Sequence, residues 1–121
     1  MKILVCGGRK YDAPDTVFGA LDRLRAAGCV DMVIHGGAKG ADALAGRWAH
    51  DRGVQEVICP ANWDRRGTWA GPIRNSAMLL LQPDLVLAFP GGKGTEDMVR
   101  KAEAKGIRVQ RISVSESGDA G

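Results

Sequence analysis

Short apolar runs and longer amphipathic segments alternate along most of the chain. The apolar runs have the length of strands, and the segments between them carry apolar residues at helical spacing, as at Val17, Leu21 and Leu24. The pattern predicts strands over 3–6, 32–35, 56–59, 85–89 and 107–112, and helices over 15–27, 42–51, 72–81 and 95–105.

Regular alternation of strand and helix predicts parallel strands joined by right-handed crossovers, with helices on both faces of the sheet. The strands are nearly continuous apolar runs, which is typical of parallel strands covered on both sides. We therefore expect one Rossmann-like, doubly wound α/β domain over residues 1–112, with a mainly parallel five-stranded sheet in the order 3-2-1-4-5. Residues 113–121 are polar, and we expect them to form a disordered tail.

Composition narrows the class of protein further. The chain has 121 residues, of which 45% are hydrophobic and 26% charged, as in a soluble globular domain. The net charge of +3 suits an anionic ligand but is too small to indicate nucleic acid by itself. The three cysteines form no CxxC pair or metal-ligand spacing, and no apolar run is long enough to cross a membrane. We therefore expect a reduced cytoplasmic protein without a metal or cofactor.

Glycine is unusually frequent, and three glycine-rich segments occupy equivalent places. Segments 7–9, 36–42 and 90–95 each follow a predicted strand and precede a predicted helix. In the order 3-2-1-4-5 these three strands are neighbours, at the point where open α/β sheets bind ligands. Glycine lets backbone N–H groups approach an anion, and the following helix adds free N–H groups. The loops therefore predict a phosphate site, although the alternative is that the glycines only make tight turns.

Arg74 is a candidate outside these loops. It is expected in the first turn of the helix opened by Gly71 and Pro72, where a cation opposes the helix dipole and so suggests a bound anion. The alternative is a surface arginine paired with a carboxylate. Thr95 is predicted to cap its helix and to donate its hydroxyl to a phosphate. The candidate ligand-binding residues are Gly7, Gly8, Arg9, Gly36, Gly37, Ala38, Gly40, Asp42, Arg74, Asn75, Pro90, Gly91, Gly92, Gly94 and Thr95.

The aromatic and histidine side chains carry weaker signals. Trp63 and Trp69 flank the segment before the predicted helix that carries Arg74. Two interpretations of them stay open: they stack on a base or sugar of the ligand, or they pack against their own loop. Trp48 is expected in the core. His35 and His50 have no partners at catalytic spacing, and we expect structural roles for both.

Four motifs together resemble the SLOG superfamily, and within it the YspA/cpYpsA-related branch that is common in bacteria and phages. They are Gly-Gly-Arg at 7–9, His-Gly-Gly-Ala-Lys-Gly-Ala-Asp at 35–42, Ala-Gly-Pro-Ile-Arg-Asn at 70–75 and Pro-Gly-Gly-Lys-Gly-Thr at 90–95. The resemblance implies a Rossmann-like fold that binds a nucleotide or a nucleotide-derived signal. The superfamily also includes the Lonely Guy phosphoribohydrolases and the DNA-processing protein DprA.

The resemblance leaves catalysis open, because one residue departs from the enzyme pattern. Lonely Guy enzymes follow the Pro-Gly-Gly-x-Gly-Thr motif with a functional glutamate, and this chain has Met98 at that position. Arg74 matches the family arginine, and Asp97 or Asp42 would have to supply the missing carboxylate, unless both simply satisfy helix N-termini. The catalytic candidates are therefore Arg74, Asp97 and Asp42.

These observations favour a binding module, acting as a sensor, carrier or sequestering protein for a nucleotide-type small molecule. The alternatives are a nucleotide N-glycosidase of Lonely Guy type and, less favoured, a single-stranded DNA-binding protein like DprA. The resemblance also implies a homodimer, for which Met78, Leu79, Met98 and Ala102 are candidate apolar contacts.

Overall fold

The chain forms a parallel sheet of five strands with two helices on each face. A computed structural model describes residues 1–28, 30–61 and 67–112. The sheet order is β3-β2-β1-β4-β5, and every neighbouring pair is parallel. The predicted Rossmann-like α/β class and strand order are therefore confirmed. The elements are β1 (Lys2–Cys6), α1 (Pro14–Ala27), β2 (Met32–His35), α2 (Ala41–Arg52), β3 (Gln55–Ile58), α3 (Ala70–Leu79), β4 (Leu85–Ala88), α4 (Lys93–Ala104) and β5 (Arg108–Arg111).

Alternate side chains of β1 point to opposite faces of the sheet and pack in two separate apolar layers. Ile3 and Val5 pack with residues of α1 and α2, including Trp48, which is fully buried as expected. Leu4 and Cys6 pack with residues of α3 and α4 on the other face. This two-sided packing fixes the carboxyl ends of β1, β2 and β4 side by side.

The two edge strands differ from the expected apolar runs. In β3 and β5 most side chains are exposed, whereas every residue of β4 is buried. An edge strand pairs on one side alone, so its polar residues reach water without breaking the sheet.

Two helices begin two residues earlier than the sequence predicts, which changes the place of two candidate residues. α4 begins at Lys93, so its N-cap is Gly92, and the prediction that Thr95 caps this helix is wrong because Thr95 is its third residue. α3 begins at Ala70, which moves Arg74 from the expected first turn into the second. Pro72 is tolerated inside the first turn because N–H groups there need no helical partner.

Some expectations concern residues outside the described ranges, namely Cys29, Trp63 and the tail 113–121. Within those ranges, no helix is long and apolar enough to cross a membrane. The described residues also hold no group of three or more His, Cys, Asp or Glu side chains that could bind a metal ion.

Candidate functional site

Three loops meet at the carboxyl edge of the sheet, with Gly8 between the other two. The N–H of Gly8 donates to the carbonyl of Pro90 at 2.8 Å, and its own carbonyl accepts from the N–H of Ala41 at 3.3 Å. A cavity of about 510 Å³ opens between these loops and the start of α3. The sequence-predicted loops therefore do converge on one cavity.

The glycines divide into two groups by what surrounds them. A side chain at Gly40, which has a φ of +76°, would collide with the carbonyl oxygen of Gly8, and a Cβ at Gly91 would lie 2.7 Å from the Gly8 nitrogen. By contrast, no atom lies within 4 Å of a Cβ built at Gly92 or Gly94, both of which line the cavity. The first group holds the loops in contact, and the second faces open space.

Five of the fifteen candidate residues do not line the cavity: Gly36, Gly37, Gly40, Pro90 and Gly91. The other ten do line it: Gly7, Gly8, Arg9, Ala38, Asp42, Arg74, Asn75, Gly92, Gly94 and Thr95.

The backbone N–H groups of the second loop are already satisfied within the protein. Those of Gly36 and Ala38 donate to Oδ2 of Asp42 at 3.1 and 3.3 Å, and that of Gly37 donates to Nδ1 of His35 at 3.0 Å. These three N–H groups are therefore already bonded, and the predicted phosphate site has no free donor among them. The acceptors are the first and last residues of the motif at 35–42, so the loop is closed by its own side chains.

His35 has the structural role that the sequence predicts. It is 3% exposed, and because its Nδ1 accepts a hydrogen bond, its Nε2 carries the proton and faces Oε2 of Glu56 at 2.5 Å. The ring thus ties the second loop to β3.

The first turn of α4 leaves several donors free. Glu96 is the first residue of this helix whose N–H finds a carbonyl, that of Gly92 at 3.1 Å, so the N–H groups of Lys93, Gly94 and Thr95 have no partner within the described residues. The Thr95 hydroxyl also makes no hydrogen bond there. Because no buried side-chain oxygen or nitrogen of the described residues lacks a partner, that hydroxyl must reach accessible surface. This end of the cavity is rich in hydrogen-bond donors.

Arg74 and Asn75 link the second loop to α4. Arg74 donates from Nη1 to the carbonyl of Gly36 at 3.0 Å and from Nε to Oδ1 of Asn75 at 3.1 Å. The Nδ2 of Asn75 donates to the carbonyl of Gly94 at 3.1 Å and to Oδ2 of Asp97 at 3.0 Å. Asn75 thus holds Arg74, Gly94 and Asp97 in place, whereas the other N–H groups of the Arg74 guanidinium have no partner among the described residues, and Arg74 lines the cavity.

The two candidate carboxylates differ in environment. Partial burial acts to raise the pKa of Asp97, but hydrogen bonds from Asn75 and Lys101 outweigh it and hold the pKa below its usual range. Both Asp97 oxygens are occupied, since Arg100 contacts Oδ1 at 2.7 Å and Lys101 contacts Oδ2 at 3.0 Å. Burial raises the pKa of Asp42, although the N–H groups of Ala38 and Gly36 and the nearby charge of Arg74 oppose that shift. The bonds of Asp42 therefore serve the second loop rather than the start of α2.

Sequence reasoning missed several residues of the cavity wall. The additional lining residues are Val5, Cys6, Gly71, Pro72, Met78, Lys93 and Asp97, the last of which was predicted as catalytic alone. Cys6 could have been found from its place at the end of β1, directly before Gly7. Burial raises the pKa of its thiol to about 12, so it is protonated at neutral pH and is not a nucleophile.

Two further expectations change with the side-chain positions. Trp69 is 70% exposed and does not line the cavity, so its predicted contact with a ligand has no support in the cavity wall. Met98 is fully buried against the sheet and packs in the apolar layer of Leu4 and Ile34. The position that carries a glutamate in the Lonely Guy pattern thus lies in the core of this protein.

Comparison with known proteins agrees with the resemblance to the SLOG superfamily and with the Rossmann-like fold. The profile described as the YspA, cpYpsA-related SLOG family matches residues 1–66. Gene 61 protein of Mycobacterium phage D29 is 37% identical over 116 residues, with 89% of this chain and 93% of that protein covered. The X-ray structure of DNA processing protein A (DprA) from Streptococcus pneumoniae matches with a TM-score of 0.76 and 19% identity. That match covers 93% of this chain but 50% of the DprA chain, and at such identity it supports the fold alone.

Restoring the glutamate at position 98 is expected to damage the fold rather than create a hydrolase. Met98→Glu places an unpaired carboxylate in the apolar layer, which should lower the free energy of unfolding by about 3 kcal/mol or more. Met98→Leu, which keeps the volume and polarity, should cost less than about 1.5 kcal/mol. Urea unfolding of both variants measures the difference, and a Met98→Glu variant as stable as Met98→Leu would place residue 98 outside the core.

Proposed function

Because the chain belongs to the YspA, cpYpsA-related SLOG family, we propose that it binds a nucleotide or nucleotide-derived ligand through its phosphate, as a sensor, carrier or sequestering module. Family membership by itself supports a nucleotide- or DNA-related function and names no ligand. The observation that carries our proposal of phosphate recognition is the group of unpaired hydrogen-bond donors at the first turn of α4, which lines the cavity. Unpaired N–H groups at a helix start, with the positive end of the helix dipole, bind anions in many proteins.

Side chains around this turn add to the case for a phosphate. The free N–H groups of Arg74 and the Thr95 hydroxyl reach the cavity, and the exposed cations Arg9 and Lys93 line it without an ion pair in the described structure. Hydrogen bonds from cationic donors to a phosphate are stronger than neutral ones, so a doubly charged phosphate monoester gains most here. The arrangement supports recognition of the phosphate and does not indicate a preference for any particular base.

A nucleotide N-glycosidase is the weaker alternative. An oxocarbenium-like transition state needs a carboxylate that is free to face the sugar. Both oxygens of Asp97 are engaged by protein partners, and Met98 is buried. These contacts favour binding without hydrolysis.

Single-stranded DNA is a second alternative, and a specific observation keeps it open. Four exposed cations, Arg9, Lys10, Lys39 and Lys93, line the cavity or adjoin lining residues in sequence. Such a group would also suit the phosphates of a polynucleotide. Displacement of a bound mononucleotide by an oligothymidylate at low salt would support that alternative.

We also propose a homodimer, but through a different surface from the one predicted. Met78, Leu79, Met98 and Ala102, the expected contacts, are all buried in the core of a single chain, so that part of the prediction is wrong. The large apolar side chains left exposed around α3 are Trp69, Ile73, Leu80 and Leu81. Exposed apolar clusters of this kind often mark protein interfaces.

A panel of ligands tests phosphate recognition. The four ribonucleoside monophosphates and the matching free bases are added in turn, and melting temperature and base release are measured together. We expect at least one nucleotide to raise the melting temperature while its base does not. Equal stabilisation by adenine and AMP would contradict phosphate recognition, and catalytic release of base would establish the glycosidase instead.

The same measurement on two glycine variants locates the site. Gly92→Val should abolish the nucleotide shift, because its side chain enters the cavity without meeting protein atoms. Gly28→Val is the matched control, since a Cβ there also meets nothing within 4 Å and its φ of −164° is open to any residue.

Arg74 is expected to be the most sensitive charged residue for nucleotide binding. Arg74→Ala removes charge-assisted hydrogen bonds that contribute about 1.5–3 kcal/mol each, and should weaken binding at least tenfold by calorimetry. Arg74→Lys should recover only part of the loss, because an ammonium lacks the planar fork of a guanidinium. Arg23→Ala, on the exposed side of α1, should bind as the wild type does.

Stability must be measured beside affinity, because Arg74 also holds the Gly36 carbonyl. If urea unfolding of Arg74→Ala becomes easier by as much free energy as binding loses, the variant reports structure rather than recognition. Arg100 would be a poor control, since it pairs with Asp97 in the cavity wall.

The dimer is tested by light scattering at micromolar concentration. We expect the wild type to have twice the chain mass and Ile73→Glu/Leu80→Glu to be a monomer, because two charges would interrupt the apolar surface. Ala26→Glu, an exposed change on α1, should remain dimeric. A monomeric wild type would refute the dimer.

A further inference from the structure

One oxygen of Asp42 has no partner in the described structure. Asp42 is 6% exposed, and both of its hydrogen bonds end on Oδ2, from the N–H groups of Gly36 and Ala38. No buried side-chain oxygen or nitrogen of the described residues is without a hydrogen bond, so the unbonded Oδ1 must touch accessible surface. Since Asp42 lines the cavity, that surface is the cavity wall.

The cavity wall thus carries groups of opposite hydrogen-bonding character. The first turn of α4 presents N–H donors and the Thr95 hydroxyl, whereas Asp42 presents an acceptor. A phosphate would be repelled by the Asp42 carboxylate and attracted by the α4 donors. The group that meets Oδ1 must therefore be a hydrogen-bond donor on the part of the ligand next to the phosphate.

In a nucleotide that part is the sugar. Its hydroxyl groups are donors that every ribonucleotide carries, whatever its base, and a cavity of about 510 Å³ is large enough for a sugar phosphate. Carboxylate oxygens accept hydrogen bonds from hydroxyls strongly, because the acceptor is charged.

We infer that Oδ1 of Asp42 accepts a hydrogen bond from a sugar hydroxyl, so that the cavity selects ribose-type nucleotides over analogues that lack the 2′- and 3′-hydroxyls. The inference rests on the proposed function, because it assigns the sugar only once the phosphate is placed at α4. Asp42 would then have two roles. Its Oδ2 holds the second loop, and its Oδ1 determines specificity for the sugar of the ligand.

The test compares hydroxyl recognition in the wild type and in Asp42→Asn. The asparagine keeps one oxygen for the N–H groups of Gly36 and Ala38 and replaces Oδ1 with an NH₂ donor. Calorimetry is done with inorganic phosphate, with AMP, GMP, CMP and UMP, and with their 2′,3′-dideoxy counterparts. Asp51→Asn, an exposed change of equal charge on the same helix, is the control.

We expect the wild type to bind its preferred ribonucleotide at least tenfold more tightly than the dideoxy counterpart, as one charge-assisted hydrogen bond predicts. In Asp42→Asn the two affinities should fall within about twofold of each other, while inorganic phosphate binds as well as before or better. Asp51→Asn should keep the wild-type preference.

Equal binding of the ribonucleotide and the dideoxy analogue by the wild type would overturn the inference and leave the phosphate site standing. This comparison needs no variant, so it decides the matter even if Asp42→Asn fails to fold. A preference for ribose that persists unchanged in a folded Asp42→Asn variant would also overturn the role of Asp42. If neither inorganic phosphate nor any nucleotide binds, the proposed function itself fails, and the inference with it.

Discussion

The close approach of two loops to the backbone of Gly8 is the constraint on which the rest of the site depends. Its N–H and carbonyl are bonded to Pro90 and Ala41, which join the loops after β4 and β2 to the loop after β1. The contacts exclude side chains at Gly40 and Gly91, and they leave the start of α4 facing the space between the loops. These glycines therefore shape the cavity without touching its contents, whereas Gly92 and Gly94 leave its wall open.

A network of polar side chains then separates donors used by the protein from donors left for a ligand. Asp42 and His35 take the N–H groups of the second loop, and Asn75 takes one N–H of Arg74 while donating to Asp97. In a partly enclosed site such connected bonds hold each member in one orientation. Among the described residues that line the cavity, the groups left without a partner include the first turn of α4, part of the Arg74 guanidinium and one oxygen of Asp42. That remainder, rather than the count of glycines, defines the chemistry that the cavity can recognise.

The sequence could predict the strand order and the meeting of the three loops at the edge of the sheet, because both follow from local patterns. Apolar runs such as 85–88 identify the central strands, and the glycines after them mark the carboxyl edge. It could not predict which N–H groups are free, because the acceptors that satisfy Gly36 and Gly37 belong to side chains oriented by tertiary packing. Nor could it predict which face of α3 meets the sheet, and this is why Met78 was assigned to an interface although it is buried.

The geometry of α4 decides which side chains of this helix can face the cavity and which must pack against the sheet. Its buried residues, Thr95, Met98, Val99 and Ala102, recur at helical spacing and face the sheet. Successive helix positions are rotated by about 100°, so a carboxylate at 97 cannot occupy the direction taken by a side chain at 98. The contacts of Asp97 agree with this geometry. Its carboxylate is bonded to Asn75, Arg100 and Lys101, and it does not belong to the apolar layer that contains Met98. A carboxylate at 97 thus belongs to the scaffold of the cavity and does not stand in for the glutamate of the Lonely Guy pattern.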